Sequence, residues 1–295
     1  MAKLRHNVEY VGALLGVKLA HLLTLRMADA FGAALGSLAY VLLTSRRRIA
    51  YDNLRKAMGD SLSEREIRSI ARKVFRNIGR TLVEFARFGK IKPEGARRII
   101  VGDGTKYLQR AFQEGKGAII VTSHFGNWEL LGSWFAAVGY PIDFLVGTQH
   151  NKKVDGLLNS FRREMEVGII PLKTSIRGVF QCLKANRLAG LVADQHAHTG
   201  GISVEFFGRK AATPKGPAAF AVKAKCPLLP FLMRRERYDR HVVEAGRPIY
   251  PPNGGDEEKD IETMTIAYSK FFEASIRKYP DQWMWTHRRW KIVSQ

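Results

Sequence analysis

A chain of 295 residues, 45% of them hydrophobic, can bury a sizeable core, which excludes general disorder and leaves room for one large α/β domain or two smaller ones. Its 48 Lys and Arg against 27 Asp and Glu give a formal net charge of +21, which points to acidic partners: nucleic acid, an anionic membrane, or an acidic or phosphorylated substrate. No zinc spacing, basic heptad or aromatic RNA-binding signature accompanies that charge, so nucleic acid is the poorest of the three. Cys182 and Cys226 form neither a disulfide framework nor a metal set and read as free thiols in a reducing compartment.

Residues 9–45 are mostly apolar, interrupted by Glu9, Lys18, Arg26 and Asp29. The spacing predicts two helices, 6–25 and 29–43, with Leu14, Leu15, Leu19, Leu22 and Leu23 at helical intervals. Gly12, Gly16, Gly32 and Gly36 would permit close helix packing. The charges break the apolar core a signal peptide needs. A soluble hairpin and a membrane-embedded or interfacial one both remain. The Arg46-Arg47-Arg48 cluster after the apolar run favours the second, because it can hold anionic headgroups, and favours a cytoplasmic position for the rest of the chain. The expected organisation is therefore a membrane-associated hairpin over 1–45 and an α/β domain over 46–295.

Residues 50–89 read as helices, with Ser63 and Glu66 forming a capping box ahead of the stripe Ile67, Ile70, Val74, Ile78, Leu82. From residue 100 short apolar runs alternate with helical stretches. Strands are expected at 118–122, 143–146, 169–171, 188–193, 227–233 and 241–245. Helices are expected at 127–138, 152–166, 175–186, 216–225 and 261–279, with an exposed loop over 250–259. Such alternation predicts a largely parallel central sheet flanked by helices.

The first of those strands ends at Ser123-His124-Phe125-Gly126-Asn127, where a helix starts. Ligands bind at such strand ends in parallel sheets, and the helix start offers free N–H groups suited to an oxyanion. Glu129, in the first helical turn, is near enough to take a hydrogen bond from His124. That pair would fix the imidazole tautomer while His124 acts as a general base on an acceptor hydroxyl. A lone His-x4-Glu also arises often by chance, and the spacing alone does not separate the two readings.

The run His124-Phe125-Gly126-Asn127-Trp128-Glu129 resembles the His-x4-Asp/Glu motif of the lysophospholipid acyltransferase superfamily, and specifically the late (lauroyl/myristoyl) acyltransferases of lipid A biosynthesis. Further blocks resemble that family in order: Arg47 through Leu54, Ile170-Pro171-Leu172-Lys173, Arg177-Gly178, Ala193-Asp194-Gln195, Phe206-Phe207-Gly208, Ala212 through Gly216, Leu229-Pro230, and Gln282 through Trp290. The similarity covers roughly residues 40–292.

The resemblance implies a glycerolipid-acyltransferase-like α/β fold. It implies an acyl thioester donor, usually the acidic acyl carrier protein and otherwise acyl-CoA, and a phosphorylated glycolipid acceptor at the cytoplasmic face of the inner membrane. The thioester is a co-substrate and no cofactor is implied. Related acceptors, such as a lysoglycerolipid, ornithine lipid or mannosylated lipid, would use the same chemistry, and a non-catalytic basic membrane-binding protein is the alternative of another class. In this picture His124 is the base, Glu129 orients it, and helix N–H groups with Asn127 stabilise the oxyanion. Arg177 would bind a phosphate or cap a helix. Asp194 would orient Arg177 or a sugar hydroxyl. Arg162, Arg163 and Lys173 would meet phosphates or remain solvated. Gln195 belongs to the Asp194 block, and Thr213 and Gly216 would shape the acyl or headgroup site. Trp283, Trp285 and Trp290 with Arg288 and Arg289 read as a mixture of core and interface residues. His196 and His198 beside Asp194 lack the further ligands a metal site needs.

Overall fold

The computed structural model describes residues 2–197, 199–252 and 254–291. Five helices come first: α1 (Ala2–Leu22), α2 (Leu25–Leu42), α3 (Thr44–Met58), α4 (Glu64–Ala86) and α5 (Phe88–Ile99). The two-residue strand β1 (Ile100–Val101) and α6 (Thr105–Gln113) lead into alternating elements: β2 (Ala118–Thr122), α7 (Trp128–Ala137), β3 (Ile142–Val146), α8 (Lys152–Glu164), β4 (Gly168–Pro171), α9 (Ser175–Lys184) and β5 (Leu188–Val192). The hairpin strands β6 (Gly201–Phe206) and β7 (Arg209–Pro214) follow, then α10 (Gly216–Ala224), β8 (Leu228–Arg237), β9 (Arg240–Ala245) and α11 (Glu257–Lys278).

Seven strands form one sheet in the order β1-β9-β8-β2-β5-β3-β4. All pairs are parallel except β8 with β9. The fold is thus α/β with a mostly parallel central sheet flanked by helices, as the alternation predicted. β2 lies at its centre and every residue of it is buried. Side chains alternate across a strand, so Ile119 and Val121 join a core with α4, α9, α10 and α11. Ala118 and Ile120 join a second core with α5, α6, α7 and α8 on the opposite face.

The strands and helices expected after residue 118 are present with their ends moved by a few residues. The loop expected over 250–259 is cut short because Asp256 caps α11, accepting from the amides of Glu258 and Lys259. The capping box is formed on both sides: the Ser63 hydroxyl accepts from Glu66 N and the Glu66 carboxylate accepts from Ser63 N. Helices α5 and α6 and the β6–β7 hairpin have no counterpart among the expected elements. Pro93 and the positive φ of Lys92 (56°) interrupt the helical period of α5. The hairpin is turned by Phe207 and Gly208, both at positive φ (54° and 70°), and neither is the Asn or Asp that usually marks such a turn.

The helices α1 and α2 dock on the rest of the fold. Only the second glycine pair behaves as expected. A Cβ on Gly36 would collide with the backbone oxygen of Phe75, and one on Gly79 with that of Gly32, so α2 and α4 cross backbone to backbone. Gly12 and Gly16 have open space around them. An Asp29–Arg80 ion pair (2.9 Å) and Arg87 donating to the Leu23 oxygen (2.7 Å) fasten the same contact. α2 is long and apolar enough to cross a membrane, and only 22% of it is buried; no other helix among the described residues meets that length and composition.

Candidate active site

β2 and β5 run parallel in register, with Thr122 opposite Val192. His124 and Asp194 each lie two residues past that pair, so the sheet delivers both to one point at its C-terminal edge. The Asp194 side chain is almost fully buried and accepts four hydrogen bonds. Oδ1 takes His124 Nδ1 at 2.8 Å. Oδ2 takes the Ser123 hydroxyl (3.0 Å), the His124 amide (3.0 Å) and the Trp283 indole N–H (2.7 Å). Burial would push this carboxyl upward, but the neighbouring imidazole and its hydrogen bond outweigh burial, and with Trp283 hold the pKa down to about 2. An ionised carboxylate only accepts, so the proton of neutral His124 sits on Nδ1 and Nε2 is left basic. Burial lowers the His124 pKa, yet Asp194, with a smaller contribution from Glu129, raises it above the ordinary value.

The imidazole partner is therefore Asp194, where the four-residue spacing suggested Glu129. Glu129 points instead to Arg162 on α8, which clasps both its oxygens at 3.0 and 2.6 Å while lying over the Phe85 ring. One turn of helix places Glu129 beside the imidazole, close enough to act through its charge, but Arg162 satisfies its lone pairs. Arg162 is thus in the site as the counter-ion of Glu129. Asp194 likewise does not meet Arg177, which is exposed on α9 beside a separate depression lined by Asp143, Arg187 and Ile170.

Asn127 is also committed elsewhere. Its Oδ1 caps α7 by accepting from Leu130 N (3.0 Å), and its Nδ2 donates to Glu84 (2.6 Å) in a fully buried position. This excludes the side chain as an oxyanion donor; as N-cap it instead sets the direction of the helix start. Glu84 anchors a second buried network under the elbow. Arg235 donates to both of its oxygens (3.1 and 2.5 Å), His241 Nε2 lies 3.5 Å away, and the Thr81 hydroxyl donates to the Gly126 oxygen (2.9 Å). Burial disfavours the Glu84 charge, but Arg235 and then His241 outweigh it and keep the carboxyl well below its usual range. Gly126 sits at φ 55°, and a Cβ there would strike the Met233 oxygen, so the turn between β2 and α7 needs glycine.

A cavity of about 640 Å³ opens in front of His124. Trp128, Glu129, Arg162, Gln195 and Gly216 line its mouth, and Phe144, Val146, Leu172, Leu191, Val192 and Phe220 give it an apolar wall. Lys173 is exposed between the lining residues Leu172 and Ser175, and Arg163 is exposed on α8. Thr213 is buried behind the mouth, where it receives a hydrogen bond from Arg289. Burial lowers the Arg289 pKa to about 10, with the Asp194 charge partly opposing the shift. Trp283, Trp285 and Arg289 are buried, Trp290 is half-buried and Arg288 is exposed, the expected mixture. Among the described residues no group of three or more His, Cys, Asp and Glu is arranged to hold a metal. His198 lies outside the described residues.

The segment 282–284 closes the site from the far side. Gly126 N donates to the Gln282 oxygen (2.8 Å) and Met284 N to the His124 oxygen (3.0 Å), with Phe125 and Trp283 bridged antiparallel. Residues 282–284, which begin at the last residue of a 3-10 turn over Pro280–Gln282, thus lie along the turn between β2 and α7, held there by an isolated antiparallel bridge.

The model of the bacterial lipid A biosynthesis acyltransferase family matches residues 2–292. The chain belongs to that family. It is 25% identical over 262 residues to the lipid A biosynthesis lauroyltransferase of Escherichia coli, covering 88% of this chain and 84% of that protein. Against the palmitoleoyltransferase of the same organism it is 25% identical over 266 residues, 88% of this chain and 83% of that protein. The phosphatidylinositol mannoside acyltransferase of Mycolicibacterium smegmatis is 26% identical over 188 residues, and there the match spans 62% of this chain and only 60% of the relative.

Proposed function

We propose that this protein transfers a fatty acyl chain from an acyl thioester, in the first place acyl carrier protein, to a hydroxyl of a lipid A precursor at the cytoplasmic face of the inner membrane. The observation that carries this reading is the His124–Asp194 pair at a cavity with one apolar wall and a polar mouth. His124 Nε2 removes the proton from the acceptor hydroxyl as its oxygen attacks the thioester carbonyl. Asp194 fixes the tautomer and stabilises the imidazolium. The tetrahedral oxyanion is met by the first amides of α7, those of Trp128 and Glu129, where a helix start presents N–H groups without intrahelical partners. Collapse of the intermediate breaks the C–S bond, and the His124 proton leaves with the thiolate. The Glu129–Arg162 pair forms the polar rim of the mouth, and the Glu129 charge makes a small contribution to raising the His124 pKa. A net charge of +21 suits both an acidic donor protein and a phosphorylated acceptor, and the resulting steering weakens with salt.

The test supplies acyl carrier protein loaded with different chain lengths, a lipid A precursor, and mass spectrometry of the lipid. One added acyl chain is expected, with His124→Ala reducing turnover by about 10²–10⁴-fold. No added chain with any donor, or full activity in His124→Ala, would sink the proposal. The mycobacterial relatives favour a second acceptor, a mannosylated phosphoinositide, with unchanged chemistry. Running both acceptors in parallel separates the two readings.

A further inference from the structure

A second cavity lies away from His124, on the outer side of α4. It is a groove of about 440 Å³ between α2, α4 and residues 284–287, with walls of Leu35, Ala39, Leu43, Ile78, Leu82 and Met284. Gly36 and Gly79, at the backbone-to-backbone crossing of α2 and α4, lie in its lining. It opens onto exposed leucines: Leu35 is 42% exposed, Leu82 61% and the neighbouring Leu38 55%. An uncovered apolar trough continuous with such a face is unusual in a monomeric soluble protein and marks a binding surface.

What fills it is indicated by its end. Where α2 gives way to α3, Arg46 lines the groove, its guanidinium 3.5 Å from the Thr286 oxygen. Immediately beyond lies a trough of about 720 Å³ carrying Arg48, Lys56, Arg288 and Lys291, with Asp52 the one acid in its lining. Arg47, between the two exposed arginines, is turned inward: it donates to the Tyr40 oxygen (2.8 Å) and lies over the Tyr40 ring. The groove and the basic trough are lined by neighbouring residues of the same two segments, Arg46 beside Ser45 and Arg48 on α3, and His287 beside Arg288.

We propose that this composite site binds one anionic glycerophospholipid of the surrounding bilayer, an acyl chain in the α2–α4 groove and the phosphate between Arg46 and the basic trough. Guanidinium groups bind phosphate oxygens in paired hydrogen bonds, and basic residues just past an apolar helix lie at headgroup depth. This lipid is neither donor nor acceptor. It rests on the reading that the apolar face of α2 contacts the bilayer, and it does not depend on acyl transfer. Its occupancy would brace the segment 284–287, in which Met284 N donates to the His124 oxygen and which directly follows Trp283, the indole donor to Asp194.

Native mass spectrometry of the detergent-purified full chain tests this, using His124→Ala protein so that no turnover intervenes. Micelles carry phosphatidylglycerol, phosphatidylcholine or palmitate. One phosphatidylglycerol per chain is expected, retained about tenfold better than phosphatidylcholine, and that preference should vanish in the Arg46→Glu/Arg48→Glu variant. Ala39→Trp, which plugs the groove, should abolish retention. Leu82→Asp, at an exposed wall position, should do the same and keeps the test open where the first variant fails to fold. Equal retention of palmitate, retention unaffected by the groove variants, or no retained lipid would each overturn the proposal. Retained phosphatidylglycerol in a protein whose unmutated form transfers no acyl chain would leave this site standing and remove the catalytic reading instead.

Discussion

Three acidic side chains surround the turn between β2 and α7, and they differ in what neutralises them. Glu84 beneath it and Glu129 beside it are each clasped through both oxygens by an arginine, whose charge is permanent. Asp194 faces an imidazole, whose charge changes near neutrality. The first two pairs are therefore fixtures that hold a shape at any working pH. The third can store and return a proton, and it is hydrogen-bonded to the imidazole proposed as the base. Burial and hydrogen bonding look similar at Glu84 and Asp194, and Glu84 too has an imidazole near it, that of fully buried His241; the difference is that Arg235 clasps both Glu84 oxygens, while the imidazole held by Asp194 faces the cavity.

Substitutions at the three carboxylates sharpen that contrast. Asp194→Asn has the largest expected effect on rate, about 10²–10⁴-fold in kcat, because an amide can hold the wrong imidazole tautomer and cannot stabilise the imidazolium. Its pH profile carries a sign. The base must be neutral, so activity rises with pH through the His124 pKa; Asp194 raises that pKa, and its loss should move the acidic limb to lower pH. A profile of kcat/KM that stays in place, or moves to higher pH, would contradict the assignment. Glu84→Gln should be read in stability. It strands the buried Arg235 guanidinium without its counter-charge, costing about 3–5 kcal/mol, visible as a large drop in Tm. Any folded fraction should keep the pH profile of the unmodified protein.

Glu129→Gln comes next. It frees Arg162 at the cavity mouth, so KM for the acceptor should change while the acidic limb moves less than in Asp194→Asn, since Glu129 is the weaker influence on His124. A shift as large as that of Asp194→Asn would instead make Glu129 the imidazole's main partner. Trp283→Phe is the mildest. It removes one hydrogen bond to a charged oxygen, worth about 1.5–3 kcal/mol, and leaves the aromatic packing in place. The Asp194 pKa should rise, with a loss of roughly tenfold in kcat, corresponding to about 1.4 kcal/mol. A Trp283→Phe protein with unaltered kcat and pH profile would reduce the indole to packing.

Much of the α/β architecture was legible because alternation of short apolar runs with helical stretches is a local signal. His124 at a strand end was legible for the same reason. The partnership of His124 with Asp194 was not, because it depends on β2 and β5 being neighbours, and strand order is a property of the folded sheet. Had that adjacency been known, the equal two-residue offsets from Thr122 and Val192 would have paired them. The Glu129–Arg162 clasp was hidden similarly, since α8 approaches α7 only after the chain has crossed β3. Asn127 misled in the opposite direction: a polar side chain at a helix start reads as an anion donor, while here it caps the helix and is bonded to Glu84. Helix α2 carried two messages in one stretch, and both apply. Its glycines pack on α4 and its leucines remain uncovered.

Residues 282–284, bridged to the turn between β2 and α7, are made late in synthesis. Among the groups that touch Asp194, the indole of Trp283 is the last to be synthesised, well after α2 has left the ribosome. A nascent chain thus contains the uncovered leucines of α2 long before Asp194 has its full set of contacts.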